Sequence, residues 1–266
     1  MNIVVCVKHV PDASSDRRFD GSDNTVDRVG VDGLLSELDE YAVEAALQIA
    51  EASEDAGSQV TVLTMGPENA SNAVRKALQM GAHQGVHVAD EQIHGSDALA
   101  SSLVLATAIE KIGESGQVDV VLCGMASTDG SMGVVPAMLA ERLGLPQVTV
   151  VSQVQVDGHT VTARRDGDAA TETVEATAPL VLSVTDQSNE PRYPSFKGIM
   201  AAKKKPVESW SLADLGLSPD DVGLSAAWSR VESFAERPPR SAGTIVADEG
   251  DGAAKLVEFL ASQKFI

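Results

Sequence analysis

Residues 118–135, VDVVLCGMASTDGSMGVV, join an apolar run of strand length to a helix through glycines and small polar side chains. Gly124, Gly130 and Gly133 allow tight turns and close backbone approach, while Ser127, Thr128, Asp129 and Ser131 supply hydroxyls and a carboxylate. A helix start adds unpaired N–H groups and the positive end of a dipole, so the stretch can hold a phosphate. The spacing matches neither G-x-G-x-x-G nor a Gly-Lys-Ser/Thr loop, and an ordinary strand-to-helix turn also explains the glycines. Asp129 would repel a phosphate, which suits it better to a ribose or a backbone cap. No pattern brings a histidine to Ser127 or Ser131, and nothing near Cys123 in sequence would lower its pKa. Acid–base and covalent catalysis are therefore not indicated. His83 and His87 are four apart, but Gly85 and the strand-like GVHVAD spoil a helical metal pair, and no metal is expected.

A second stretch, NEPRYPSFKGIMAAKKKP at 189–206, has a different chemistry. The chain carries 39 acidic and 20 basic side chains, yet between Arg192 and Lys205 there are only bases. Pro191 and Pro194 stiffen the approach to Tyr193, Ser195 and Phe196, and Lys197, Gly198, Ile199 and Met200 follow. Phe196 either folds back onto the core or stands out as a binding anchor. Lys203, Lys204 and Lys205 read either as a solvated helix end or as a docking field.

The elements that must position these stretches alternate. NIVVCVK (2–8), QVTVLTMG (59–66), GVHVAD (85–90) and VDVVLCG (118–124) have strand character. Helical periodicity falls at 38–52, 70–80, 96–113 and 134–144, the first with Leu38, Tyr41, Ala42, Ala45, Ala46, Ile49 and Ala50 on one face. Four strand–helix units predict an α/β fold: a doubly wound, mostly parallel sheet with helices on both faces. Ligands of such sheets bind beyond the carboxyl ends of the strands. Shorter strands from about 147 to 186, the first three divided by Asp157-Gly158 and Asp166-Gly167, predict a meander or hairpins extending that sheet. We divide the chain into a core at 1–186, the basic loop and helix at 187–205, and an extended C-terminal arm at 206–266.

At 43% hydrophobic and 22% charged residues the composition is that of a globular protein. A net charge of −19 disfavours nucleic acid and anionic membranes. No stretch is long and apolar enough to predict membrane insertion, and no secretory signal is read at the start. Cys6 and Cys123, both in predicted strands, read as buried free thiols, which suits a reducing cytoplasm.

The chain resembles the electron transfer flavoprotein β-subunit family along essentially its whole length. The likeness rests on VVCVKHVPD, DEYAVEAAL, TMGPENASNAVRKALQMGAHQGVHV, CGMASTDGSMGVVPAMLAERLGLPQVT and above all NEPRYPSFKGIMAAKKKP. It implies an electron carrier without catalytic residues, paired with an α subunit that mainly holds the FAD. AMP would sit in this subunit, with a second FAD in its place in electron-bifurcating members. By motif position AMP would touch Cys6, the segment Ser36, Glu37, Leu38 and Asp39, and Met65. The loop Gly124, Met125, Ala126, Ser127, Thr128, Asp129, Gly130, Ser131, Met132, Gly133, Val134 and Val135 would complete the site. Many members have Asn-Pro-Phe where this chain has Ser36-Glu37-Leu38, and Gln where it has Val134. Residues Pro191 to Met200 correspond to the loop that anchors flavoprotein dehydrogenases such as acyl-CoA dehydrogenases, with Phe196 at the usual leucine. Electrons would pass on to a quinone oxidoreductase or another acceptor, as in fatty acid oxidation. A universal-stress-type nucleotide-binding module shares the core, but leaves the basic loop and the arm without purpose.

Overall fold

The computed structural model describes residues 1–15, 17–53, 57–240, 243 and 245–266. The chain divides into two compact units, Met1–Glu232 and Ser233–Ile266.

In the first unit β1 (Asn2–Cys6) leads through a small antiparallel hairpin, β2 (His9–Pro11) with β3 (Gly33–Leu35), into α1 (Glu37–Ala52). Then come β4 (Gln59–Met65), α2 (Ser71–Met80), β5 (Gln84–Val88), α3 (Ala98–Gly113), β6 (Val120–Gly124) and α4 (Val135–Leu143). The strand–helix alternation expected from periodicity is present. Asp97 caps α3 by accepting the Ala100 N–H, and Gly81 ends α2 at φ 147°.

After α4 the chain forms β7 (Gln147–Val151), β8 (Gln153–Asp157), β9 (Thr160–Asp166), β10 (Thr171–Thr177) and β11 (Leu180–Val184). Of the two arrangements expected here the meander is found: β8, β9 and β10 form their own antiparallel sheet, while β7 and β11 join the main one. Val150 marks an irregularity near the end of β7. It adopts φ 59°, its N–H is taken by Ser183 Oγ at 2.9 Å, and the β7–β11 register shifts there. The ladder resumes with Val151 opposite Val184 and goes no further, and β9 turns its apolar positions Val161 and Ala163 onto the α1 face of the core. β11, buried at every residue, returns between β6 and β7.

α5 (Phe196–Ala202) and β12 (Val207–Trp210) follow. β12 lies within the segment 206–266 read from sequence as an arm, yet it pairs with β5 as an edge strand. The main sheet is parallel throughout, in the order β12-β5-β4-β1-β6-β11-β7. Its order reverses beside β1, since α1 carries the chain to β4 on one side and α3 returns it to β6 on the other. Alternate side chains fill two cores. Ile3, Val5, Val60 and Val62 face α1 and α2, whereas Val4, Cys6, Leu63, Val121 and Cys123 face α3 and α4. A short helix, α6 (Gly223–Ala226), follows near the end of this unit. The second unit carries α7 (Gly252–Ser262), which buries none of its residues.

Among the described residues no helix is long and apolar enough to cross a membrane. Among them, too, no three His, Cys, Asp or Glu side chains gather as for a metal.

Candidate functional site

The order reversal beside β1 sets the switch point at the carboxyl ends of β1 and β6, where a doubly wound sheet has its ligand crevice. Cys6 and Cys123 face each other there across adjacent strands, both as buried free thiols. The hydrogen bond that its S–H gives to Cys6, together with burial, pushes the Cys123 thiol well above its ordinary range, so it is not an activated nucleophile.

The start of α1 is locked to the start of the glycine loop. A Cβ on Gly124 would lie 2.6 Å from Asp39 Oδ1 and 2.7 Å from the Leu38 carbonyl oxygen, so only glycine fits. Asp39 is buried and accepts the Lys8 N–H at 2.8 Å. Burial raises its carboxyl pKa to about 7, against the Lys8 and Gly124 N–H groups that favour the anion. The fully buried Ser36 does not cap α1 with its side chain. Its hydroxyl accepts the Thr128 N–H at 3.3 Å and so ties the loop to the α1 entry.

Asp129 holds a cluster that sequence reasoning did not anticipate. Lys8 Nζ lies 2.9 Å from one of its oxygens and Arg28 2.6 Å from the other, while Arg17 donates to the Thr128 carbonyl at 3.0 Å. The Asp129 side chain is only 5% exposed. Burial alone would raise its pKa, but Lys8 and Arg28 outweigh that and hold it well below the carboxylate range. Burial and the neighbouring Arg28 lower the Lys8 ammonium pKa, even though its side chain keeps 41% of its surface. Arg28 is itself fixed by donating to the His9 carbonyl, and its own carbonyl accepts from Asn69. The only sequence signal for this cluster was Lys8 interrupting an apolar strand.

Beyond Asp129 the loop turns back through Ser131, whose N–H reaches the Ser127 carbonyl at 3.0 Å, and through Gly133 at φ 66°. Among the described residues the N–H groups of Met132, Gly133, Val134 and Val135 have no acceptor within the chain. Four free donors beside three cations fit a phosphate-bearing ligand. Cys6, Ser36, Asp39 and the loop thus come together, with Leu38 present through its carbonyl. Met65 ends β4 on the same face as Cys6. Glu37 is exposed.

The second stretch is a mounted surface. Arg192 reaches back to α1: Nε and Nη2 lie 2.7 and 3.0 Å from the Glu44 carboxylate, Nη1 and Nη2 lie 2.6 and 3.0 Å from Glu51. These acids raise its pKa above the usual guanidinium value. Ser195 caps α5 by accepting the Gly198 N–H at 3.0 Å. Tyr193 and Phe196 are 92% and 82% exposed, with Ile199 and Met200 beside them, so Phe196 does not fold back onto the core. The lysine run divides. Lys203 and Lys204 are exposed, whereas Lys205 Nζ donates to the carbonyls of Leu78, Gly81 and Ala82 at the end of α2.

Comparison with known proteins shows the family. Residues 23–215 match the family profile described as electron transfer flavoprotein domain. The chain is 47% identical, over 100% of its length and 99% of the relative's, to the electron transfer flavoprotein subunit beta of Mycobacterium bovis. It is 34% identical over the full length of both chains to the same subunit of Megasphaera elsdenii. It is also 35% identical over 92% of each chain to the caffeyl-CoA reductase-Etf complex subunit CarD of Acetobacterium woodii. From the doubly wound sheet to the NEPRYPSF loop, this chain belongs to the electron transfer flavoprotein β-subunit family.

Proposed function

We propose that this chain is the nucleotide-holding and docking half of a soluble two-subunit electron carrier. An α subunit supplies most of the FAD site, and the FAD, when bound, provides the chemistry that accepts and releases electrons. The observation that carries the reading is the outward-facing aromatic pair Tyr193 and Phe196 on a stretch fixed to the core. A large exposed aromatic that is not free to collapse is the form a partner-binding anchor takes. Flavoprotein dehydrogenases of the acyl-CoA class are the proposed donors, and a quinone oxidoreductase or a comparable acceptor receives the electrons.

AMP is the proposed ligand of the crevice. Lys8, Arg17 and Arg28 with the free N–H groups of residues 132–135 would hold its phosphate, and Ser36 and Asp39 would fix the loop around it. The chain contributes no acid, base or nucleophile to the electron transfer itself.

Phe196→Ala in the assembled heterodimer tests docking. Acyl-CoA-dependent reduction at limiting carrier should fall about tenfold or more, as for loss of an interface hot spot. A wild-type rate overturns the reading. Nucleotides released on denaturation test the ligand, with one FAD and one AMP per heterodimer expected. Two FAD and no AMP would replace AMP by a second flavin and move the chain to the bifurcating class.

A further inference from the structure

Four ties hold the docking stretch in place, and none of them involves the side chains it presents. Asn189 Nδ2 donates to the Tyr41 carbonyl of α1 at 3.0 Å. The Arg192 backbone N–H reaches Glu44 at 3.2 Å, and its guanidinium divides four donor contacts between Glu44 and Glu51. Gly198 lies so close to α2 that a Cβ there would be 2.6 Å from the Gln79 carbonyl oxygen. Lys205 ends the stretch on three carbonyls at the end of α2.

Glu44 explains why the first tie is strong. Its side chain is only 5% exposed, and it accepts from Gln48 at 2.9 Å as well as from Arg192. A carboxylate that deep needs its cation, so the pair does not open to offer Arg192 to a partner. Glu51, 59% exposed, takes the remaining guanidinium edge. The basic residue that precedes the aromatic pair is therefore used up inside the chain.

We infer that Arg192 is a positioning residue for docking: it clasps α1 so that Tyr193 and Phe196 are presented in one fixed arrangement, without touching the partner through its guanidinium. This rests on the reading of Phe196 as the anchor. Without the clasp, each aromatic must be ordered when the partner binds, which weakens association and leaves the electron-transfer step unchanged.

The test uses the purified heterodimer as the varied substrate of an acyl-CoA dehydrogenase. Arg192→Gln should raise the apparent KM for the carrier about tenfold, the cost of ordering two freed side chains, with kcat unchanged. In the Phe196→Ala background the same change should add little, because the side chain it positions is gone. An unchanged KM for Arg192→Gln beside a raised KM for Phe196→Ala overturns the clasp alone, as does full multiplication of the two effects in the double variant. A silent Phe196→Ala overturns the docking reading and the clasp with it. If Arg192→Gln does not assemble, Glu51→Gln removes only the exposed half of the clasp. Its KM should rise about threefold, one freed contact's worth, and an unchanged value overturns the inference.

Discussion

Lys205 belongs to a run of three lysines, yet its neighbours in space give it a separate role that a melting experiment can isolate. Helix α2 has no basic residue in its last turn and ends at Gly81. The Ala77 carbonyl accepts the Gly81 and Ala82 N–H groups, and Lys205 supplies a donor to Leu78 and to the two residues after the helix from more than 120 residues away: 2.9 Å to Leu78 O, 3.1 Å to Gly81 O and 2.6 Å to Ala82 O. Hydrogen bonds from a charged donor contribute about 1.5–3 kcal/mol each at best. A cation at a helix C-terminus adds about 0.3–1 kcal/mol. Against this stand up to about 2 kcal/mol of side-chain entropy and the desolvation that lowers the Lys205 pKa. The net for Lys205→Met is a loss of about 2 kcal/mol, or roughly 4–8 °C in the melting temperature of a chain this size. Lys203→Met and Lys204→Met remove exposed ammonium groups and should stay within about 0.5 kcal/mol of wild type. Thermal melts of the three heterodimers, followed by far-UV circular dichroism, provide the comparison. Equal stability of all three variants would refute the capping role.

Gly124→Ala should cost about 2–3 kcal/mol and strip the nucleotide, since its Cβ meets Asp39 and the Leu38 carbonyl; melts and nucleotide released on denaturation measure both. Asp39 has a folded pKa near about 7 against an ordinary 3.8, so the folded state binds more protons than the unfolded one between those values. Stability contributed by that protonation is complete at low pH and is lost as pH rises through this window. Asp39→Asn should therefore remove a slope of up to about 1.4 kcal/mol per pH unit from urea midpoints across it. Asp129→Asn leaves Lys8 and Arg28 without their carboxylate and should destabilise by about 3 kcal/mol. The same variant should retain less AMP after gel filtration, whereas tighter AMP retention would show that Asp129 only repels the phosphate.

The inner strands of the main sheet were legible because they are buried on both faces and read as unbroken apolar runs, as in VVLCG at 120–124, whereas the exposed edge strand β12 was not. Its helices announced themselves by period and by stops such as Gly81. The three-residue strands β2 and β3 carry too few residues to show a period. The separate β8–β9–β10 sheet was hidden because alternation reveals a strand but not which sheet it joins. Val150 takes φ 59° just before β8, and nothing in its type announces that. On α1 the apolar face was read, but the burial of Glu44 was not, because its cover comes from Arg192, 148 residues on.

The same separation in sequence reverses the electrostatic reading of the glycine loop. Taken alone, Asp129 puts a negative charge where a phosphate would lie. In the fold it is 121 residues from Lys8 and 101 from Arg28, and both cations sit on its oxygens. Arg17 adds a third cation at Thr128. Asp39, the other carboxyl at the α1 entry, has its pKa raised to about 7, which leaves part of its population uncharged at neutral pH. The immediate balance is thus about two positive charges in a chain whose total is −19, so the loop is a local well for an anion. Asp129 keeps Lys8 and Arg28 from repelling each other and holds them in register with the free N–H groups that follow. In the proposed nucleotide site a carboxylate used this way would arrange the phosphate's cations without contacting the phosphate, which a residue-by-residue reading of the loop would score as a defect.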